Sequence, residues 1–212
     1  MILGRKRFMS IDFIHNIIPW ITKVLFFGAL LPQIFLNYKI KSANGLSDLY
    51  LIGYFSAYFL NVFYVFGLNF PFAYKIFAPL CLFAVIFIIL QKVLYSNLLI
   101  NIKVLKLYIT DLLILLIFVP FIFFFPIKIG HLAGWVLILI WSLYQFPQIY
   151  KIYKNKSVQG FSFFLVTLIG LGNLFEFIVA ILFDLPLQTF FISVRGIIIY
   201  IIYCLEFWSY KY

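Results

Sequence analysis

Seven stretches of about twenty mainly apolar residues govern what this chain can fold into. They fall at about 15–36, 48–69, 72–91, 105–125, 132–151, 161–183 and 187–208, and a helix of roughly 20 such residues crosses a bilayer. Hydrocarbon offers no water to satisfy backbone polar groups, so only helices or closed barrels span it. Barrel strands alternate in segments of about ten residues; the run from Leu112 to Phe125 does not alternate. The connectors are too short to fold as separate domains. Composition agrees: 66% of residues are hydrophobic and 10% charged, whereas about a quarter are charged in a soluble domain. A soluble enzyme, a disordered chain and a secreted disulfide scaffold are excluded.

The formal charge of +10 sits mostly in the short connectors. Anionic headgroups and the positive-inside rule account for it, and no nucleic-acid partner is expected. With the loop at Lys39 and Lys41 in the cytoplasm, nine basic residues fall on that side and five on the other. The bias predicts a non-cytoplasmic N-terminus and a cytoplasmic C-terminus, although the Arg5-Lys6-Arg7 cluster opposes it. Cys81 and Cys204 lie within apolar runs, and no metal-ligand spacing or cofactor motif is present. The expected cofactor and metal are none, and no nucleophile–base pair points to an enzyme.

A repeat organises the spans. Pro32 to Ser47 (PQIFLNYKIKSANGLS) returns 115 residues later as Pro147 to Ser162 (PQIYKIYKNKSVQGFS), with nine of sixteen positions identical. The same offset pairs Trp20 with Trp135 and Pro71 with Pro186. Four spans separate the copies, so the two halves are parallel repeats, related by an axis roughly along the membrane normal. The expected fold is all-α: two parallel triple-helix bundles joined by a linking helix. The first bundle takes residues 1–91, the linker with its loops 92–131, and the second bundle 132–212.

Within the repeat, Pro32 and Pro147 each remove one helical hydrogen bond and free a carbonyl, at Gly28 and Leu143. Twin kinks at twin positions make two candidate hinges. Gln33 and Gln148 can donate to those carbonyls or cross to a neighbouring helix. Ser47 suits a helix N-cap, Gly45 and Gly160 suit turns of positive φ, and Lys39, Lys41, Lys154 and Lys156 suit headgroup anchors.

Polar residues deep inside spans point to a site. Asn61 and Glu176 are repeat partners, and so are Tyr58 and Asn173 one turn earlier. Each pair shares a helix face, and the two faces can meet across the pseudo-two-fold axis as a polar chamber. Glu176 needs a cationic partner or a proton there. Arg195 can neutralise it or hold a substrate carboxylate. Asp111 is expected near the cytoplasmic headgroups and Glu206 at the interface, with His15 and His131 near the outer boundary. Trp20 and Trp135 fit either an aromatic belt or a pocket wall.

A Pro-Gln near the end of a span, a Lys-x-Lys-Ser, then Gly-x-Ser opening the next span, twice over seven spans, resembles the PQ-loop family. That family includes cystinosin-type amino-acid transporters and, more distantly, SWEET sugar transporters and KDEL receptors. The resemblance implies that Pro32 and Pro147 are hinges for rocking between outward-open and inward-open states, with the pocket between the two bundles. It places the proton-coupling aspartate of cystinosin-type members at Ile169, so proton-coupled cystine export does not carry over. The acid of this helix is Glu176, and the cognate first-repeat position is Leu49, next to Asp48.

The sequence therefore predicts an alternating-access transporter of a small polar solute, an amino acid or a related metabolite. Glu176 is its candidate proton-coupling group. The alternatives are a sorting or signalling receptor of the same fold and a sugar facilitator. The expected partners are the solute, membrane lipids and, if transport is coupled, protons; the oligomeric state is left open. The short tails favour a bacterial inner membrane, with a eukaryotic organelle as the alternative, and the Lys-rich composition suits an AT-rich genome.

Overall fold

The computed structural model describes residues 2–95 and 98–210, with side chains described over 17–95 and 105–210. Arg5, Lys6, Arg7, His15, Lys103 and Lys211, used above in the charge and boundary expectations, lie outside the described side chains. The elements run α1 (Ile2–Ile40), α2 (Asp48–Gly67), α3 (Phe72–Leu94), α4 (Leu98–Leu116), α5 (Val119–Phe124), α6 (Pro126–Leu143), α7 (Gln145–Asn155), α8 (Phe163–Leu182) and α9 (Leu187–Tyr210). Seven spans result, because the fourth is split into α4 and α5 and the fifth into α6 and α7. Mean hydropathy in their apolar windows runs from 1.5 to 2.5. This is a multi-pass integral membrane protein.

Turn chemistry sets the span ends, and the repeat reproduces it. Among the described residues the non-glycine ones of positive φ are Lys41, Asn69, Lys156 and Asp184, two pairs at the 115-residue offset. At Asn69 and Asp184 short polar side chains tolerate the left-handed turn that closes a helix. Phe70 N–H then donates to Val65 O and Leu185 N–H to Ala180 O, both at 3.0 Å. Pro71 and Pro186 follow, and their carbonyls accept from Tyr74 N at 2.9 Å and Thr189 N at 2.8 Å. Span five starts earlier than the sequence suggested. The expected connector from Pro126 to His131 is helical, because Pro126 occupies the first turn, where its missing N–H costs nothing.

Within the first bundle α3 packs against both α1 and α2; within the second, α9 packs against α8 and α6. The halves meet through α1 on α8 and α2 on α6. The order around the molecule is therefore α1–α3–α2–α6–α9–α8, a closed ring with α4 and α5 outside it. That is the expected architecture of two parallel triple-helix bundles with one linking span. The outer surface is apolar, as lipid requires: Phe123, Phe124, Leu94 and Trp208 are all exposed. Two apolar clusters fill the interior. One holds Tyr50, Tyr54, Ile88 and Tyr203 towards the end carrying the repeated motif, hereafter the motif end. The other holds Tyr64, Phe70, Leu137 and Val179 towards the far end.

Tails as apolar as leucine give helices no hydrophobic reason to associate, so close backbone approach and interhelical hydrogen bonds must hold the ring. One such close approach lies at the motif end, where Gly45 meets Gly160 backbone to backbone. Gly160 has the expected positive φ of 79°. Gly45 does not; it is glycine because a Cβ there would overlap the Gly160 carbonyl. Gly28, by contrast, has open space where a Cβ would go. Gly45→Ala should therefore destabilise the fold by about 1–3 kcal/mol, whereas Gly28→Ala should be neutral or stabilising. Thermal unfolding of the two variants in detergent checks this; equal melting temperatures would contradict the packing described.

Candidate functional site

The two motif glutamines cross between halves. Gln33 Nε2 donates to Gly160 O at 3.0 Å, and Gln33 Oε1 accepts from Ser162 N at 2.8 Å. Gln148 Nε2 donates to Gly45 O at 2.9 Å, and Gln148 Oε1 accepts from Ser47 N at 2.8 Å. Each amide of one repeat thus satisfies a carbonyl and an N–H in the loop of the other. Neither side chain has any exposure. Of the two options open from sequence, the glutamines take the crossing one, to a loop rather than a helix. Ser47 and Ser162 both stand at N-caps, but only the Ser162 hydroxyl accepts a capping bond, from Leu165 N at 3.3 Å.

The clasp is not fully symmetric. In the first loop Lys92 Nζ donates to Ala43 O and Leu46 O at 3.1 and 2.9 Å, and lies 3.5 Å from Asp48. Lys151 Nζ also reaches Leu46 O, at 2.9 Å, and donates to Asn44 O. Lys41 and Lys156 lie over the Tyr38 and Tyr153 rings at 3.6 and 3.7 Å, again at the repeat offset.

The prolines also behave differently. α1 runs through Pro32 unbroken. The helical hydrogen bonding of the fifth span is interrupted at Tyr144, between α6 and α7, next to the carbonyl of Leu143 that Pro147 frees, although Tyr144 itself keeps right-handed helical φ and ψ of −68° and −16°. Side chains of α9 reach the region of this break. Arg195 Nη1 donates to Trp141 O, and Tyr203 OH donates to Gln145 Oε1 at 2.8 Å.

Inside the ring lies a cavity of ≈ 100 Å³. Tyr58, Asn61, Asn173, Glu176 and Arg195 all line it, so the two faces inferred from the repeat do converge. Trp20 and Trp135 do not. Each packs on a phenylalanine of its own bundle's third span, Trp20 on Phe72 and Phe77 and Trp135 on Phe191. Both tryptophans are partly exposed, 40% and 47%, on the outer surface, where an amphipathic ring suits the membrane boundary. Ile169 lines the cavity, as does the free thiol of Cys81; Leu49 faces outwards.

Glu176 has a partner the sequence did not suggest. Lys23 Nζ lies 3.0 and 2.9 Å from its two carboxylate oxygens, and Tyr74 OH donates to Oε2 at 3.0 Å. Arg195, the partner considered from sequence, is not the counter-ion. Lys23 arrives because α1 packs directly on α8. The pair joins the halves about 20 Å along α8 from its motif end, at 1.5 Å per residue. Its side chains are 14% and 6% exposed. Burying two charges costs most of what their attraction returns, but removing one partner of such a pair costs about 3–5 kcal/mol.

Aromatic layers flank this polar centre. Towards the motif end Tyr50, Tyr54 and Tyr144 stack at 5.1–5.4 Å, and Phe161 meets Tyr203 at 5.2 Å. Towards the far end Tyr64, Phe70 and Tyr74 form a second layer at 4.8–5.1 Å, with Tyr64 OH 2.8 Å from Thr189 Oγ1. These tyrosines were missed because an aromatic stripe reads as core. Their sequence signal is the spacing 50, 54, 58, 61, 64 along one face of α2.

Two acids stand elsewhere than expected. Asp111 accepts from Ser56 Oγ at 2.7 Å and so ties α4 to α2 rather than facing headgroups. Glu206 is buried, and its Oε2 has no partner among the described residues. His131 Nδ1 lies 3.4 Å from Gln188 Nε2. No group of three metal-ligating side chains occurs among the described residues.

A family model described as the PQ loop repeat matches the chain twice, over residues 14–74 and 129–189. The two matches are offset by the same 115 residues as the motif. No curated protein matches the chain.

Proposed function

The chain belongs to the PQ-loop family, whose members are membrane transporters and receptors, and from that premise we propose that it is an alternating-access transporter of a small polar solute. The observation that carries this reading is the pair of ties between the halves at different depths. One is the glutamine clasp at the motif end; the other is the Lys23–Glu176 bridge towards the far end. The cavity lies between the same two bundles. Rocking one bundle against the other breaks one tie while the other holds, which opens the cavity to one side at a time. The solute is an amino acid or a related metabolite, held among Tyr58, Asn61, Asn173, Glu176 and Arg195. The lysine bias of the loops favours the motif end as the cytoplasmic one, in a bacterial inner membrane.

Pro147 is the principal hinge in this scheme, because the helix is already interrupted beside the carbonyl it frees, whereas α1 is continuous at Pro32. Alanine restores the missing N–H and removes the ring clash. Pro147→Ala should slow solute exchange in proteoliposomes about tenfold, equivalent to about 1.4 kcal/mol on the barrier, and Pro32→Ala should slow it less. The reverse order would remove Pro147 from the hinge role.

Glu176 is the coupling group in the same scheme. A proton on its carboxylate cancels the attraction for Lys23 and releases the far-end tie. Glu176→Gln should abolish solute accumulation driven by an imposed pH difference and leave counterflow exchange measurable. The double variant Lys23→Gln/Glu176→Gln, which removes both charges together, keeps the test readable if the single variant folds poorly. Accumulation of solute against its gradient by both variants would exclude coupling through Glu176.

A further inference from the structure

The charged side chains lining the cavity are Lys23, Glu176 and Arg195. Lys23 and Glu176 neutralise each other. Arg195 belongs to neither of the described ion pairs. No carboxylate pairs with it among the described residues. Its described hydrogen bond goes to one backbone carbonyl, that of Trp141, and its buried Nε has no partner among the described residues. The cation also stands over the Trp141 ring, 5.8 Å from the centroid. A guanidinium has five N–H donors in a fixed fork, so most of its capacity is unused. An unmatched buried charge is costly until a counter-ion arrives.

We infer that Arg195 is the anchor for a carboxylate, and that the solute is a small organic monoanion with no ammonium group of its own. The inference rests on the proposal that this cavity is the solute's seat. Charge balance drives the choice. A monoanion brings the cavity to neutrality, and its two oxygens match the guanidinium fork. A zwitterionic amino acid would leave the net charge at plus one and bring an ammonium needing an acceptor. The acid lining the cavity, Glu176, already has both oxygens engaged by Lys23 and one also by Tyr74. Size agrees, because ≈ 100 Å³ is well below the roughly 300–1,000 Å³ of pockets for drug-sized ligands. The inference thus narrows the solute class from amino acids and their relatives to short carboxylates. The Trp141 ring and the Trp141 carbonyl, within one turn of Tyr144, orient the guanidinium. Solute binding at Arg195 is thereby linked to the segment proposed as the hinge.

Three probes with one carbon skeleton separate the alternatives: L-lactate (anion), L-alanine (zwitterion) and L-lactamide (neutral). Binding is read by calorimetry on the detergent-purified protein, and flux separately in proteoliposomes. Lactate should bind the unmodified protein at least tenfold more tightly than either alternative, a free-energy difference of about 1.4 kcal/mol. Arg195→Gln should remove that preference, and Arg195→Lys, which keeps the charge but loses the fork, should restore part of it. Alanine binding as tightly as lactate, or no binding of any probe, would overturn the inference, and neither result depends on a variant folding. An unchanged lactate preference in folded Arg195→Gln protein would also overturn it. Lactate binding without flux would support the anchor and contradict the transporter reading. Alanine flux without lactate flux would do the reverse.

Discussion

Two fully buried glutamine amides hold this structure together at the point where it is most exposed to failure. Loops between membrane helices carry backbone N–H and C=O groups that have no helical partner. At the motif end two such loops are pressed against each other, Gly45 on Gly160, with little room for water. A glutamine amide offers one donor and one acceptor side by side. Gln33 and Gln148 use both on the opposite loop. The glycines are needed so that the loops come close enough, and the left-handed turns at Lys41 and Lys156 close the helices just before the loops. Proline beside each glutamine weakens the helix from which the amide projects. Clasp and potential hinge are thus adjacent in sequence in both halves.

The differences between the halves carry the chemistry. Glu176 has Asn61 as its repeat partner, and Lys23 has Ile138. The ion pair therefore exists on one side of the pseudo-symmetry alone. Lys92 and Lys151 secure the first motif loop and have no counterparts at Phe207 and Leu36. The break at Tyr144 is likewise confined to the second half. A ring of near-equal halves with one polar centre can rock about its axis, while the asymmetric residues determine what occupies the centre.

Much of this was legible in the sequence. Span count and the parallel repeat followed from apolar runs and the identical Pro, Gln, Trp and Gly positions, which apolar composition does not generate by chance. Convergence of Tyr58, Asn61, Asn173 and Glu176 followed from their shared faces. Lys23 stood out as a charge inside the first span, but its pairing with Glu176 was not foreseen because it depends on α1 lying next to α8, a fact of ring order that no local pattern encodes. Trp20 and Trp135 pointed equally to lipid and pocket, since an indole suits both; packing on α3 and α9 decided it. Gly45 was read as a turn residue, but the need is for space against Gly160, a contact between residues 115 apart in sequence. The start of span five at Pro126 was missed because residues 126–131 were read as a connector, whereas proline in a first turn is a helix starter.

The central claim is that the motif-end clasp and the far-end bridge, both made in this structure, are opposed ties: rocking opens one while the other holds. Spin labels at residues 44 and 159 report the motif end, and labels at residues 72 and 187 the far end; both are repeat-related pairs on exposed positions. Pulsed electron–electron distance measurements in lipid nanodiscs should be compared between the clasped protein and Gln33→Ala/Gln148→Ala. The account predicts that losing the clasp moves the 44–159 distribution to longer distances while the 72–187 distribution narrows at its short end. Unchanged distributions at both ends, or lengthening at both together, would contradict it.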